Sequence, residues 1–274
     1  MRNIQAAIID LYDGYPNQAI SSFQHILNTY AANNGLTVNS RVFDLRGKNE
    51  VPDTGFDIYI SSGGPGSPIE SEGSEWEQNY WNLLGAIDTH NQSDAPNKKH
   101  VLLVCHSFQL ICRQYKLADV NRRTSESYGI MPTAQTEAGK ADLVLQGLAD
   151  NYYVFDSREW QVVNPDMKRF EEIGATLLTI ERERTDPNNP RALMAIRFGP
   201  YCFATQYHPE VDPADMKARM LTDEYKKHMV DEYGIAKYEE IFADLADPAK
   251  IGLTYQTIIP NFLAQALKNQ DIPS

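Results

Sequence analysis

Cys105 stands where the apolar run HVLLVC (100–105) passes into residues spaced as a helix, CHSFQLIC (105–112). A thiol at such a junction lies near the positive end of the helix dipole, which favours thiolate, the form that attacks carbonyl carbon. The residue type alone leaves three roles open: a small buried residue ending a strand, a metal ligand, or a nucleophile. Cys105, His106 and Cys112 make no zinc pattern, because no second ligand pair stands at suitable spacing. A nucleophilic cysteine needs a base and a group that orients the base, and QYHPE (206–210) has both types. In extended chain, residues two apart project to one side, so His208 and Glu210 fall together with Pro209 stiffening the backbone between them. The imidazole would hold or take the thiol proton while the carboxylate fixes its tautomer. In SSGGPGSP (61–68), Gly63 and Gly64 can adopt backbone geometries closed to other residues. Their N–H groups, with the amide of His106, could stabilise an oxyanion. The stretch lacks the Lys-Ser/Thr of a phosphate loop, so no ATP site is expected there.

The elements that must position these residues follow from periodicity and punctuation. IQAAIIDL (4–11) reads as a buried strand, and 17–33 as a helix with Pro16 near its start and Gly35 just past its end. TVNSRVFDL and FDIYISS (56–62) read as strands, 74–90 as a helix, HVLLVC as the fourth strand and 107–117 as its helix. Strands alternating with helices imply right-handed crossovers and an open, mainly parallel α/β sheet with helices on both faces. In such a sheet, ligands bind beyond the carboxyl ends of the strands, where both SSGGPGSP and CHSFQ fall. From about 130, short β-like runs (IMPTAQTEAG, ADLVLQGL, YYVFDSREWQVV, ATLLTIERE, ALMAIRFG, YCFATQYHPE) read as antiparallel additions, with ERERTD (181–186) a solvated strand end and turn. Residues 213–253 read as a helical hairpin inserted into a single domain spanning 1–274. Met216, Met220, Tyr225, Met229 and Val230 form one stripe, and Ile235, Tyr238, Ile241, Phe242 and Leu245 another, separated by Gly234. Those stripes could pack on their own domain, cap the site, or meet an identical subunit in a homo-oligomer.

SGGPGS, CHSFQ and QYHPE, in this order and separation, resemble the class I glutamine amidotransferase family, closest to the glutaminase domain of GMP synthase and its stand-alone relatives. The resemblance spans about 4–211, with IIPNFLAQAL similar to the family's closing helix. It implies a flavodoxin-like α/β fold with a helical C-terminal elaboration. It further implies a γ-glutamyl thioester on Cys105, completed by His208 and Glu210, with the amides of Gly64 and His106 as oxyanion hole. Gly63 and Gln109 would border the substrate. The implied substrate is glutamine or another γ-glutamyl compound, and the ammonia would go to a separate synthetase or be released. A γ-glutamyl peptide hydrolase, or a non-catalytic binding homologue, is the alternative. No metal or organic cofactor is implied, since the thiol carries the chemistry. The chain departs from the family elbow G-x-C-x-G by placing Leu103 and Ser107 at the glycine positions. It has Phe108 where His or Met is usual, Ala118 and Asp119 for a glycine pair, and no histidine in FDSREWQVV.

Composition excludes other classes. A formal net charge of −12 argues against a nucleic-acid footprint or an acidic membrane surface. Three cysteines do not make a disulfide framework, and the opening MRNIQAAIID does not read as a signal peptide, so a cytoplasmic setting is expected. His25, His90, His100 and His228 read as helix or linker surface, and Trp76, Tyr80 and Trp81 as core.

Overall fold

The computed structural model describes residues 3–182 and 190–268. In chain order the strands are β1 (Asn3–Asp10), β2 (Thr37–Asp44), β3 (Ile58–Ser61), β4 (His100–Val104), β5 (Asp119–Gln135), β6 (Asn151–Val163), β7 (Ala175–Glu181), β8 (Leu193–Phe198) and β9 (Cys202–Thr205). The helices are α1 (Ala19–Asn33), α2 (Leu45–Lys48), α3 (Glu75–Gln92), α4 (His106–Gln114), α5 (Glu137–Ala141), α6 (Met167–Glu172), α7 (Pro213–Met220), α8 (Asp223–Tyr233), α9 (Ile235–Asp244) and α10 (Leu253–Lys268).

The strands form one sheet in the order β2-β1-β3-β4-β9-β8-β7-β5-β6. From β2 to β9 every pairing is parallel, and from β9 to β6 every pairing is antiparallel. The central strands are apolar on both faces because both are covered: β3 and β4 are buried along their whole length. One core cluster includes Ile8, Phe23, Leu102 and Phe262, and a second on the other face includes Ile9, Tyr80, Leu103 and Phe108. α4 is buried at every position from His106 to Cys112, so it is held from all sides at the centre of the molecule. Register then places the strand ends side by side, since Ile9 pairs with Ser61, Ser61 with Leu103 and Leu103 with Ala204. The residues following β1, β3, β4 and β9 therefore emerge at one edge of the sheet.

The expected α/β sheet with antiparallel additions is the observed one, with local corrections. ADLVLQGL is not β: after α5 it forms turns that bury Val144 and Leu145, and Asn261 Nδ2 of α10 donates to the carbonyls of Val144 (3.2 Å) and Gln146 (2.9 Å). β5 begins eleven residues before the first predicted run, pairing Asp119 with Val163 in a ribbon whose polar outer residues conceal it from periodicity. The expected hairpin is three helices, because Thr222 starts a new one by accepting the Tyr225 amide at 3.4 Å. Gly234, at φ +82°, separates α8 from α9 as its position suggested. These helices build a third cluster, Ile130 and Phe155 with Met216, Met220, Met229 and Ile241, on the β5–β6 ribbon. Of ERERTD, residues 183–186 lie outside the described residues. Among the described residues no helix is long and apolar enough to cross a membrane.

Candidate active site

Cys105 joins β4 to α4 with φ +51° and ψ −97°. A non-glycine residue held there costs about 1–3 kcal/mol, and such strain persists only where the surroundings fix it. Here both backbone groups of Cys105 are engaged: its amide donates to the Thr205 carbonyl (2.7 Å), and its carbonyl accepts from the Gln109 amide (3.0 Å). The turn swings the side chain out of the sheet, where Sγ is 3.7 Å from the Ser157 carbonyl and 3.7 Å from Gln206 Nε2, which donates to it.

The two departures at the elbow are accommodated by their neighbours. Leu103 is fully buried, and its register partners on either side are the small residues Ser61 and Ala204. Ser107 uses its hydroxyl, donating to the Ser62 carbonyl (2.6 Å) and lying 2.7 Å from Ser61 Oγ, which in turn accepts from Tyr80 OH (2.9 Å). Serine thus ties the first turn of α4 to the end of β3, which glycine could not do.

His208 and Glu210 meet, but not by strand alternation. β9 ends at Thr205, and Pro209 and Glu210 lie in a turn. The segment is pinned by backbone bonds from Gln206 to the Met194 carbonyl (2.9 Å) and from His208 to the Phe155 carbonyl (2.9 Å). His208 Nδ1 is 2.8 Å from Glu210 Oε1, and the carboxylate is almost fully buried. Burial alone would lower the imidazole pKa. The charges of Glu210 and Cys105, with hydrogen bonds to both, outweigh it and hold the ring well above its usual value. The site therefore favours imidazolium between a carboxylate and a sulfur.

The glycines are required by space and not by φ, contrary to the reading from sequence: neither Gly63 nor Gly64 is at positive φ. A Cβ on Gly63 would lie 3.0 Å from His208 Cε1, 3.3 Å from Tyr12 OH and 3.4 Å from Cys105 Cβ, and one on Gly64 would lie 2.3 Å from the Leu11 carbonyl oxygen. Backbone here runs directly under the reactive groups. His106 begins α4, so its N–H has no intrahelical acceptor. Its imidazole is buried, both ring nitrogens are unpartnered, and burial, then Arg46 and Arg113, push its pKa down to about 3. Only its amide can serve the site. Gln109 Nε2 donates to the Trp160 carbonyl (3.3 Å) and to Gln206 Oε1 (3.2 Å), so it braces the residue that contacts the thiol.

A cavity of about 1020 Å³ opens from Cys105, bordered by Gly64, Gln109, His208 and Glu210. Three residues on or beside it escaped the sequence reading. Tyr12 is two residues past the end of β1, where the strand-end rule points, and it borders the cavity with its hydroxyl, like His208 Cε1 and Cys105 Cβ, close to Gly63. Gln206 lies inside QYHPE, but its contact with Cys105 Sγ spans 101 residues and leaves no local trace in the sequence. His228, expected on a bare surface, borders the cavity from α8. His100 is corrected too: it is buried at the start of β4, its ring edge-on to Tyr201 (5.2 Å) and Phe262 (6.3 Å). Among the described residues no cluster of His, Cys, Asp or Glu could hold a metal ion.

A thiol on a strained strand-to-helix turn, near a carboxylate-oriented imidazole at the end of a parallel sheet, has the parts that nucleophilic cysteine chemistry requires. The family model for class-I glutamine amidotransferase matches residues 17–228, well over half of the chain, and the protein belongs to that family. Solved structures with the same fold include a glutamine amidotransferase from Thermotoga maritima, at 15% identity over 97% of this chain and 98% of that one, with TM-score 0.64. Another is a glutamine amidotransferase from Methylobacillus flagellatus, at 12% identity over 100% of this chain and 97% of that one, TM-score 0.60. The glutaminase domain of Trypanosoma brucei CTPS with bound acivicin is similar at 12% identity, covering 98% and 96%, TM-score 0.58. At these identities the likeness is one of fold. No curated protein sequence matches the chain.

Proposed function

We propose that this protein hydrolyses the γ-amide of glutamine or of a related γ-glutamyl amide through a thioester on Cys105. The observation that carries the reading is the His208–Glu210 contact of 2.8 Å beside a cysteine held at φ +51°. Sulfur attacks the γ-carbonyl carbon, and the carbonyl electrons move onto oxygen, opposite the amides of Gly64 and His106. One such donor is typically worth about 10²–10³ in rate. The imidazolium of His208 gives its proton to the leaving nitrogen, the C–N bond breaks, and ammonia or an amine departs. Neutral His208 then takes a proton from water as its oxygen attacks the thioester. Collapse releases glutamate and restores the sulfur–imidazolium pair. Glu210 keeps Nδ1 occupied, so the other ring nitrogen faces the reacting atoms. We place the reaction in the cytoplasm, where three free thiols persist, with ammonia released or passed to a separate synthetase.

Ammonia and amine release from glutamine and γ-glutamyl peptides tests this. Turnover should vanish in Cys105→Ser while circular dichroism stays unchanged, because a hydroxyl is a far poorer nucleophile than a thiolate near neutral pH. Turnover unaffected by that substitution would refute the assignment.

A further inference from the structure

The cavity at Cys105 is larger than a single amino acid requires. Its volume of about 1020 Å³ lies at the top of the roughly 300–1,000 Å³ range of pockets that enclose drug-sized ligands. Part of its wall is the cap supplied by α8 and the bend of β5, bringing Glu126, Tyr128, Tyr225 and Tyr233 to its surface. These residues form a fixed aromatic shelf. Tyr128 and Tyr233 stack with centroids 4.6 Å apart and planes at 9°, Tyr128 and Tyr225 hydroxyls are 2.8 Å apart, and Tyr233 OH donates to Glu126 Oε2 at 3.1 Å. With the Tyr128 and Tyr225 hydroxyls bonded to each other and the Tyr233 hydroxyl to Glu126, the shelf lines the cavity with aromatic surface beside a carboxylate, a combination that attracts cations.

The other charges on the cavity point the same way. Asp215 and Glu224 also border it, as does Glu159, which is paired with Arg122 at 3.1 Å. Of the cations there, Arg158 is committed to Asp156 (2.9 Å) and Glu181 (2.5 Å), and Arg219 lies over the Tyr225 ring at 4.5 Å. Partial burial, despite the Tyr233 hydrogen bond, and then Glu159 and Glu232 hold the Glu126 carboxyl above its ordinary pKa. An arriving cation would relieve that.

We infer that the tyrosine shelf is the subsite for the leaving amine, and that the preferred substrates are N-substituted γ-glutamyl amides whose amine portion ends in a cation. The inference rests on the Cys105 reading for its direction: with the γ-carbonyl at sulfur, whatever hangs from the amide nitrogen occupies the rest of the cavity. The bond broken is the same C–N bond, and the leaving nitrogen takes its proton from His208.

Three γ-glutamyl amides of similar length separate the possibilities: the butylamide, the 4-aminobutylamide and the 3-carboxypropylamide, each compared with glutamine by kcat/KM. The aminobutylamide should exceed the butylamide by about tenfold, the order of a partly desolvated cation–π contact, and glutamine by more. Glu126→Gln, which keeps an acceptor for Tyr233, should cut that preference several-fold. Equal use of glutamine, or preference for the carboxypropylamide, would overturn the inference. Calorimetric binding of 1,4-diaminobutane tests the shelf without turnover. Saturable binding weakened in Glu126→Gln supports it even if Cys105→Ser sinks the parent reading, and no binding overturns it.

Discussion

Replacing His100 by Phe should remove about 2 kcal/mol of acid sensitivity without touching the candidate site. His100 opens β4, at the opposite end of that strand from Cys105, with its ring edge-on to Tyr201 and Phe262 and its Nε2 buried without a partner. Burial, and then the charge of Arg197, push its pKa from the usual 6.5 down to about 4. The native state therefore binds fewer protons than the unfolded state between those values. Stability from the neutral ring is complete above about pH 6.5 and falls as pH drops toward 4, by about 1.4 kcal/mol per pH unit. Between pH 8 and 5 the loss is about 2 kcal/mol. Phenylalanine keeps both edge-on ring contacts and removes the titration. It also removes an unpartnered buried nitrogen, so the variant should be at least as stable at pH 8. His106 acts in the same direction as His100 down to about pH 3. His208 acts oppositely, since its raised pKa gives stability that is complete below 6.5 and lost as pH rises through the folded value. The comparison must therefore be differential: urea unfolding of wild type and His100→Phe at pH 8 and pH 5. A gap between the two proteins that widens by about 2 kcal/mol in favour of the variant at pH 5 is expected. Parallel profiles would refute a buried neutral His100.

Gly64→Ala should lower the unfolding temperature, because its Cβ would meet backbone at 2.3 Å, and overpacking of that kind costs about 1–3 kcal/mol or more. Gly63→Ala, whose nearest contacts are side chains, should fold normally but turn over slowly, and the reverse order would contradict the geometry. Burial raises the Cys112 thiol well above its ordinary pKa and Cys202 to about 12, so limited iodoacetamide near neutral pH should label Cys105 first; equal labelling of the three, read by peptide mass mapping, would count against the site. Glu210→Gln should cost less rate than His208→Ala. It should also move the alkaline limb of the pH–rate profile to lower pH, because the charge that helps keep His208 protonated is lost; an unmoved limb would remove Glu210 from its role.

The parallel half of the sheet could be read from sequence because burial on both faces leaves unbroken apolar runs, as in β3 and β4. The first half of β5 could not, because a two-stranded ribbon with one open side tolerates Asp119, Asn121 and Arg122. The grouping of Cys105, His208 and Glu210 followed from motif and strand-end position. The reason for the glycines did not, since the approach of Leu11 to Gly64 is a contact between strands and leaves no local trace. That the elbow has room for Leu103 is not visible locally, because its small neighbours Ser61 and Ala204 come from register, 42 and 101 residues away in sequence. The cap was legible as helical stripes, but its place on the cavity wall depends on how α7 and α8 pack over β5 and β6.

The claim on which the rest depends is that Cys105 carries the acyl group. Mass spectrometry of the protein quenched in acid during turnover of a γ-glutamyl amide reads this directly. A mass increase of one γ-glutamyl group is expected, mapped to the peptide containing Cys105, removed by hydroxylamine and absent from Cys105→Ser. Steady turnover in which hydroxylamine yields no γ-glutamyl hydroxamate and Cys105→Ser stays active would contradict it.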